Sequence, residues 1–262
     1  MSHPVNEFAG VPVVIFCGGN GIFIDGTGTR RNKSLVPVAQ EPLVAHVIRI
    51  YLRVGFRTFV LAAGYQYEAL LASLKSGYAS MPDATNPALL HATVDGVACS
   101  IRVVSTGEIA PTGERLKACV PYLKNQPWFC VTYSDTLSDV NLADMYRFHK
   151  HHGKVATLLA AQYPTRFRIL GIRGGESEVR GFSKHPVLRG EPINGGFYFF
   201  SRRIFDDHFL EGSGVVLEDA VLDRLAAARE LMAYSYVGAW QNLDAERDLV
   251  PLTGIANSLR QS

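Results

Sequence analysis

Val13-Val14-Ile15-Phe16-Cys17-Gly18-Gly19-Asn20-Gly21 opens the stretch on which the reading of the fold turns. Val13 to Phe16 is a short β-branched apolar run, the pattern of a strand buried on both faces. The glycines that follow at once give way to Asp25-Gly26-Thr27-Gly28-Thr29-Arg30-Arg31-Asn32-Lys33-Ser34, where three cations cluster before Val36-Pro37-Val38. Glycine lets backbone N–H groups approach an anion closely, and the cations neutralise what is held there, so the loop reads as a phosphate cradle. Two phosphate motifs fail against it: a dinucleotide fingerprint needs glycine near position 24, where Ile24 stands, and a Walker loop needs glycine where Asn32 precedes Lys33-Ser34. A tight strand-to-helix connection with solvated arginines is the plainer alternative.

Outward from this stretch, Leu43, Val47, Ile50 and Tyr51 recur at helical spacing until Val54-Gly55-Phe56. Thr58 to Ala63 reads as the next strand, and Tyr67 to Leu74 as the next helix. Strand, helix, strand, helix is the order of a parallel sheet. Gly77 to Leu90 carries Pro82, Asp83, Asn86 and Pro87 and is expected to be a loop-like insertion or lid. Val97 to Val104 reads as a strand, and Thr112-Gly113-Glu114-Arg115-Leu116-Lys117 as a glycine turn entering a helix that ends near Tyr122. Phe129 to Tyr133 is a strand that delivers Ser134-Asp135-Thr136 to its carboxyl end. Ligands of open α/β sheets sit at those ends, so Asp135 is expected to share a crevice with the glycine loop, a turn carboxylate being the alternative. Leu142 to His152 and Val221 to Leu231 read as helices; Val155 to Gln162, the run after Ile193-Asn194-Gly195-Gly196, and Ala233 to Val237 read as strands.

The chain has 262 residues, 47% hydrophobic and 19% charged, with a formal charge of +2. That composition is ordinary for a globular enzyme and excludes a mainly disordered chain. No basic run with interleaved aromatics marks a nucleic-acid surface, so nucleic acid is not expected as a partner. The four cysteines, Cys17, Cys99, Cys119 and Cys130, form no C-x-x-C pair and read as buried free thiols. Residues 1–10 read as a polar tail and 11–262 as one domain. Neither a signal peptide nor a membrane-length apolar run is present, which makes the cytoplasm the expected compartment and a membrane an unexpected partner.

The order of landmarks resembles the sugar-phosphate nucleotidyltransferases, and within them the glucose-1-phosphate cytidylyltransferases. The landmarks are Gly18-Gly19-x-Gly21, Lys33 before Val36-Pro37-Val38, Thr112-Gly113-x-Arg115-Leu116-Lys117, Tyr133-Ser134-Asp135, Ser138-Asp139-Val140, Ile193-Asn194-Gly195-Gly196-Phe197 and Trp240-Gln241-x-x-Asp244, spread from about Val11 to Leu249. The fold implied is α/β, a Rossmann-like doubly wound, mixed but mainly parallel sheet in a single domain with small sugar-binding and oligomerisation extensions. The reaction implied is attack of a sugar-1-phosphate oxygen on the α-phosphate of a nucleoside triphosphate, CTP first, with release of pyrophosphate. The resemblance makes Asp135 and Asp244 ligands of Mg²⁺ and gives Lys33 the balancing of phosphate charge. It assigns Gly18, Gly19, Gly21, Thr112, Gly113, Arg115 and Ser134 to the nucleotide, and Lys184, His185, Asn194, Gly195 and Trp240 to the acceptor. It also implies a homo-oligomer, a hexamer being one form it suggests.

Two departures bear on activity. The loop arginine of the family's Gly-x-Gly-Thr-Arg-Leu falls on Phe23, and Gly28-Thr29-Arg30 repeats the lost tripeptide, so Arg30 or Arg31 is expected to supply the charge. In Phe182-Ser183-Lys184-His185-Pro186, Lys184 stands for the acid and His185 for the lysine of a Glu-Lys-Pro segment. That swap disfavours plain glucose and suits an anionic or otherwise modified acceptor, unless Lys184 is a solvent-facing lysine that touches nothing. A nucleotide- or sugar-nucleotide-binding regulatory homologue without turnover is the competing reading.

Overall fold

The computed structural model describes residues 7–19, 21–23, 29–123, 126–162, 169–170, 182–183 and 192–261. Among them, nine strands form one sheet. In chain order these are β1 (Pro12–Cys17), β2 (Thr58–Ala63), β3 (Ala79–Pro82), β4 (Leu89–Val94), β5 (Val97–Ser105), β6 (Trp128–Tyr133), β8 (Ala156–Ala161), β9 (Ile193–Ser201) and β10 (Leu231–Tyr236). A separate ribbon pairs β7 (Thr136–Ser138) with β11 (Trp240–Asn242). Across the sheet the order is β10-β8-β9-β6-β1-β2-β5-β4-β3. Only β9 and β4 run against the rest.

All six residues of β1 are buried, as the apolar run requires, because both faces of the sheet are covered. Alternate side chains go to opposite faces. Val13 and Ile15 join a core with α1 (Leu43–Val54), α2 (Tyr67–Gly77), α4 (Leu142–His152) and α7 (Leu249–Gln261). Val14 and Phe16 join the other, with α3 (Thr112–Cys119), α5 (Arg203–Asp206) and α6 (Leu222–Ala227). Gly55 ends α1 in the left-handed region at φ 116°, donating its N–H back to Leu52 and Tyr51 carbonyls. Phe8, inside the stretch read as a tail, packs its ring on Phe56 and Tyr146.

The strands at 58–63, 97–105 and 128–133 and the helix at 142–152 stand where periodicity put them. Residues 77–90 differ: β3 lies in them and β4 begins there, an antiparallel extension at the sheet edge. Pro82 hid the strand from a sequence reading, since proline is excluded from central strands but tolerated at an edge. The helix read over 221–231 is divided, a π-helical turn at Leu217–Val221 leading into α6, and Leu231 already belongs to β10. The four cysteines are buried free thiols. Among the described residues no helix is long and apolar enough to cross a membrane.

Candidate active site

Parallel pairing of β1 with β6, in register Phe16 to Tyr133, brings the glycine loop and Ser134-Asp135 to the same edge of the sheet. Ser134 N–H donates to the Phe16 carbonyl at 3.1 Å and fixes that alignment beyond the last pair. The segment returning from the loop is fastened by Asn32, which is buried. Its Nδ2 donates to the carbonyls of Cys17 at 3.0 Å and Tyr65 at 2.8 Å, the ends of two neighbouring strands. Its Oδ1 accepts the Ser34 N–H and caps the short 3₁₀ turn Lys33–Leu35. The residue that breaks the Walker pattern is therefore the clamp that aims Lys33. Beside it, Ser34 Oγ donates to Ser134 Oγ at 2.8 Å, tying the turn to the β6 end.

Lys33 Nζ lies 3.0 Å from Asp135 Oδ2 and 3.1 Å from Asp244 Oδ1. The two carboxylates, far apart in sequence, meet because β7 pairs with β11, Thr136 opposite Asn242, and because Leu243 N–H donates to the Asp135 carbonyl at 2.9 Å. Asp248, buried, accepts the backbone N–H groups of Asp244 and Ala245 at 2.8 Å each and so sets the turn that presents Asp244. Asn242 Nδ2 donates to Asp244 Oδ2 at 2.6 Å. Burial works against the charge on Lys33, but the carboxylate of Asp135, followed by that of Asp244, overrides it and the pKa rises. Lys33 is a permanent cation at neutral pH.

Gly21 sits at φ 70°, and a Cβ there would meet the Arg31 carbonyl oxygen at 2.7 Å, so only glycine lets Ile22–Phe23 pair with Arg30–Arg31. This pairing holds the Arg30 and Arg31 backbones beside the glycine loop with both residues exposed. Gly18 and Gly64 have no side chain because the Arg115 guanidinium occupies that space. Arg115 is buried, donating to Thr106 Oγ1 at 2.6 Å and the Glu108 carbonyl at 3.0 Å. Burial lowers its pKa from the usual value.

Thr112 and Gly113 stand in a different position from the loop. A Cβ on Gly113 would strike the Val215 carbonyl at 2.5 Å, and Glu114 accepts the Val215 N–H and pairs with Lys117, so the start of α3 is a clamp for residues 212–218. Thr112 Oγ1 accepts from Leu217 N–H and donates to Glu218 Oε2 at 2.5 Å.

Next to the carboxylates lies a pocket of about 280 Å³, lined by Tyr133, Asp135, Thr136, Asn194, Gly195, Gly196, Tyr198, Glu218, Trp240 and Asn242. Asn194 Nδ2 donates to the Tyr198 hydroxyl at 2.7 Å, and Trp240 Nε1 to the Gly195 carbonyl at 2.8 Å. Gly196, at φ 74°, brings its backbone against the Tyr133 ring. Lys184 and His185 lie outside the described residues. The structure thus gathers Lys33, Asp135, Asp244, Ser134, Asn194, Gly195 and Trp240 in one crevice, with Arg115 under the glycine loop. Asn32, Asn242, Asp248 and Glu218 are absent from the sequence-derived set. Asn32, between cations and just ahead of a helical turn, carried a readable capping signal; Glu218, one acid among several around a glycine-rich turn, carried none.

Asp135 and Asp244 converge on a cation already, which fits a divalent ion. Among the described residues no group of three or more acidic, histidine or cysteine side chains is placed to hold a metal ion. Two carboxylates suit Mg²⁺, which keeps several positions for water and phosphate oxygens.

The chain is 32% identical over 248 residues to the glucose-1-phosphate cytidylyltransferase of Salmonella typhimurium, covering 92% of this chain and 94% of the relative. It is 26% identical over 244 residues to mannose-1-phosphate guanylyltransferase 1 of Arabidopsis thaliana, covering 87% of this chain and 62% of that one. The structure of HddC from Yersinia pseudotuberculosis, complexed with GMP-PN, superposes with a TM-score of 0.66 at 15% identity, over 93% of this chain and 98% of the other, and bears on the fold alone. The profile of the nucleotidyl transferase family matches residues 12–243, and the chain belongs to that family.

Proposed function

We propose that the chain is a magnesium-dependent nucleotidyltransferase that joins CTP to a sugar 1-phosphate other than plain glucose 1-phosphate and releases pyrophosphate. The observation that carries this reading is the convergence of Lys33, Asp135 and Asp244 beside a glycine loop and a polar pocket. The choice of CTP rests on the identity to the Salmonella relative, and the choice of acceptor on Lys184 and His185.

An oxygen of the acceptor phosphate attacks the α-phosphorus, a new P–O bond forms, and the bond to the β-phosphate bridging oxygen breaks with its electron pair leaving on pyrophosphate. No covalent partner from the protein is needed; charge neutralisation and alignment are. Lys33 holds phosphate oxygens with a charge that its carboxylate neighbours keep in place. Arg30 or Arg31 neutralises the departing pyrophosphate from the edge of the loop. Asp135 and Asp244 would hold Mg²⁺, whose chemistry is to offset negative charge on the reacting phosphate oxygens. Asn32 and Asp248 act earlier, by fixing where Lys33 and Asp244 stand.

Pyrophosphate release measured for CTP, ATP, GTP, UTP and dTTP against a panel of hexose 1-phosphates tests the reading. The expected result is Mg²⁺-dependent release, greatest with CTP. Binding of nucleotide without release for any pair would leave the regulatory reading instead.

A further inference from the structure

Glu218 is the feature of the crevice that the reaction as described does not use. Its carboxylate lines the pocket shared by Asp135, Asn194 and Trp240. It is firmly oriented: the Tyr133 hydroxyl donates to Oε1 and the Thr112 hydroxyl to Oε2. Among the described residues it makes no ion pair, although it is only partly exposed. A carboxylate has about four acceptor positions, so two remain open after Tyr133 and Thr112 are served. Keeping a charge half out of water with neither a cation nor a full set of donors is costly. The cost is recovered when a ligand brings donors of its own, since hydrogen bonds to an ionised acceptor are about twice as strong as neutral ones.

The scaffold around the carboxylate is equally specific. The π-helical turn Leu217–Val221 carries it, and the Thr112 hydroxyl fixes that turn from α3. Burial first, then the neighbouring Tyr198 and Glu218, push the Tyr133 hydroxyl well above its usual pKa, so Tyr133 stays a donor. The pocket's volume of about 280 Å³ is close to the lower end, roughly 300 Å³, of small-molecule sites.

We infer that Glu218 is a specificity-determining residue that accepts hydrogen bonds from the hydroxyls of a neutral sugar ring and turns away an acceptor with a second acidic group on that face. The inference rests on the reading that this pocket receives the acceptor. It narrows what Lys184 and His185 leave open: of an anionic and an otherwise modified acceptor, this wall of the pocket favours the second.

Calorimetric titration of the full chain with α-D-mannose 1-phosphate, α-D-glucose 1-phosphate and α-D-glucuronic acid 1-phosphate tests it, with Glu218→Gln and Tyr133→Phe beside the unmodified protein. The unmodified protein should bind a neutral sugar phosphate at least tenfold more tightly than the uronic acid. Glu218→Gln should weaken the neutral ligand about tenfold while binding the uronic acid no worse, and Tyr133→Phe, which only frees the carboxylate, should lose less. In turnover, Glu218→Gln should raise the acceptor KM and leave the CTP KM unchanged. Equal affinities in Glu218→Gln of unchanged melting temperature, a uronic acid that binds best, or no binding of any of the three would overturn the inference. The two readings fail separately: turnover with an indifferent Glu218→Gln removes only this inference, and a Glu218-dependent binding without pyrophosphate release removes only the proposed reaction.

Discussion

The Lys33–Asp135–Asp244 cluster and the Arg49–Glu41–Asp95–Arg260 cluster are built from the same kinds of ion pair and differ in how far solvent reaches the central cation. Arg49, buried in α1, meets Glu41 at 3.0 Å and Asp95 at 2.5 Å, while Arg260 meets Glu41 at 2.8 Å. The rest of the Arg49 fork is used too: Nη1 donates to His46 Nδ1, and His46 Nε2–H donates to the Val38 carbonyl. Every nitrogen of the Arg49 fork is taken, and the side chain is almost wholly buried. Lys33, by contrast, is partly open to solvent and faces Asp135 and Asp244 at the end of the sheet where ligands bind. A buried cation holds elements together, and one open to solvent at a strand end can meet a ligand. The difference separates a cluster that ties α1 and α7 to the strand ends from the one proposed to do chemistry.

The sharpest break of this comparison is Asp135→Ala or Asp244→Ala. Each should cut turnover by on the order of 10³-fold or more at unchanged melting temperature, and the double variant should be no worse, because either loss empties one site. Steady-state pyrophosphate release checks it. Next, Arg30→Ala and Arg31→Ala should differ, one losing about 10²-fold in kcat because it faces the leaving group; two near-normal variants would move that role to another cation such as Arg115. The Arg49 cluster should answer in stability rather than in turnover. Arg49→Met should cost about 2–3 kcal/mol by urea titration, less than a wholly buried pair because its partners are partly exposed, with kcat per folded molecule unchanged.

A pH-dependent effect on stability, with no change in turnover, lies at His149, away from both clusters. Its Nδ1 shares the buried Thr157 hydroxyl with His152 Nε2, and burial, with His152 adding to it, lowers its pKa from 6.5 to about 4. The folded protein therefore refuses a proton that the unfolded chain takes up. This stability is whole above pH 6.5, declines as pH falls towards 4, and changes no further below. The loss, on the order of 3 kcal/mol, should be absent over the same range in a His149→Asn variant.

β1, β2 and β6 were legible because a strand covered on both faces must be a continuous apolar run, and Gly55 and Gly153 ended helices that periodicity had already marked. Asp135 was legible from its place after such a strand. Its meeting with Lys33 and Asp244 was legible only through the family resemblance and not from periodicity, because three residues of β7 against three of β11, an Asp248 cap and an Asn32 clamp decide it. None of those leaves a periodic signal. Thr112, Gly113 and Glu114 show the limit of motif reading: the helix start was placed, but the side chains turn to residues 212–218 rather than to the loop. The edge strand β3 escaped because its proline reads as a loop signal.

The proposal that the Lys33–Asp135–Asp244 cluster is the chemical site is tested most directly by Mn²⁺ binding, followed by electron paramagnetic resonance in the presence of CTP. The account predicts one bound ion per chain in the unmodified protein and in Arg49→Met, and none in Asp135→Asn or Asp244→Asn. Binding that survives both aspartate substitutions, or that is lost with Arg49, would contradict it.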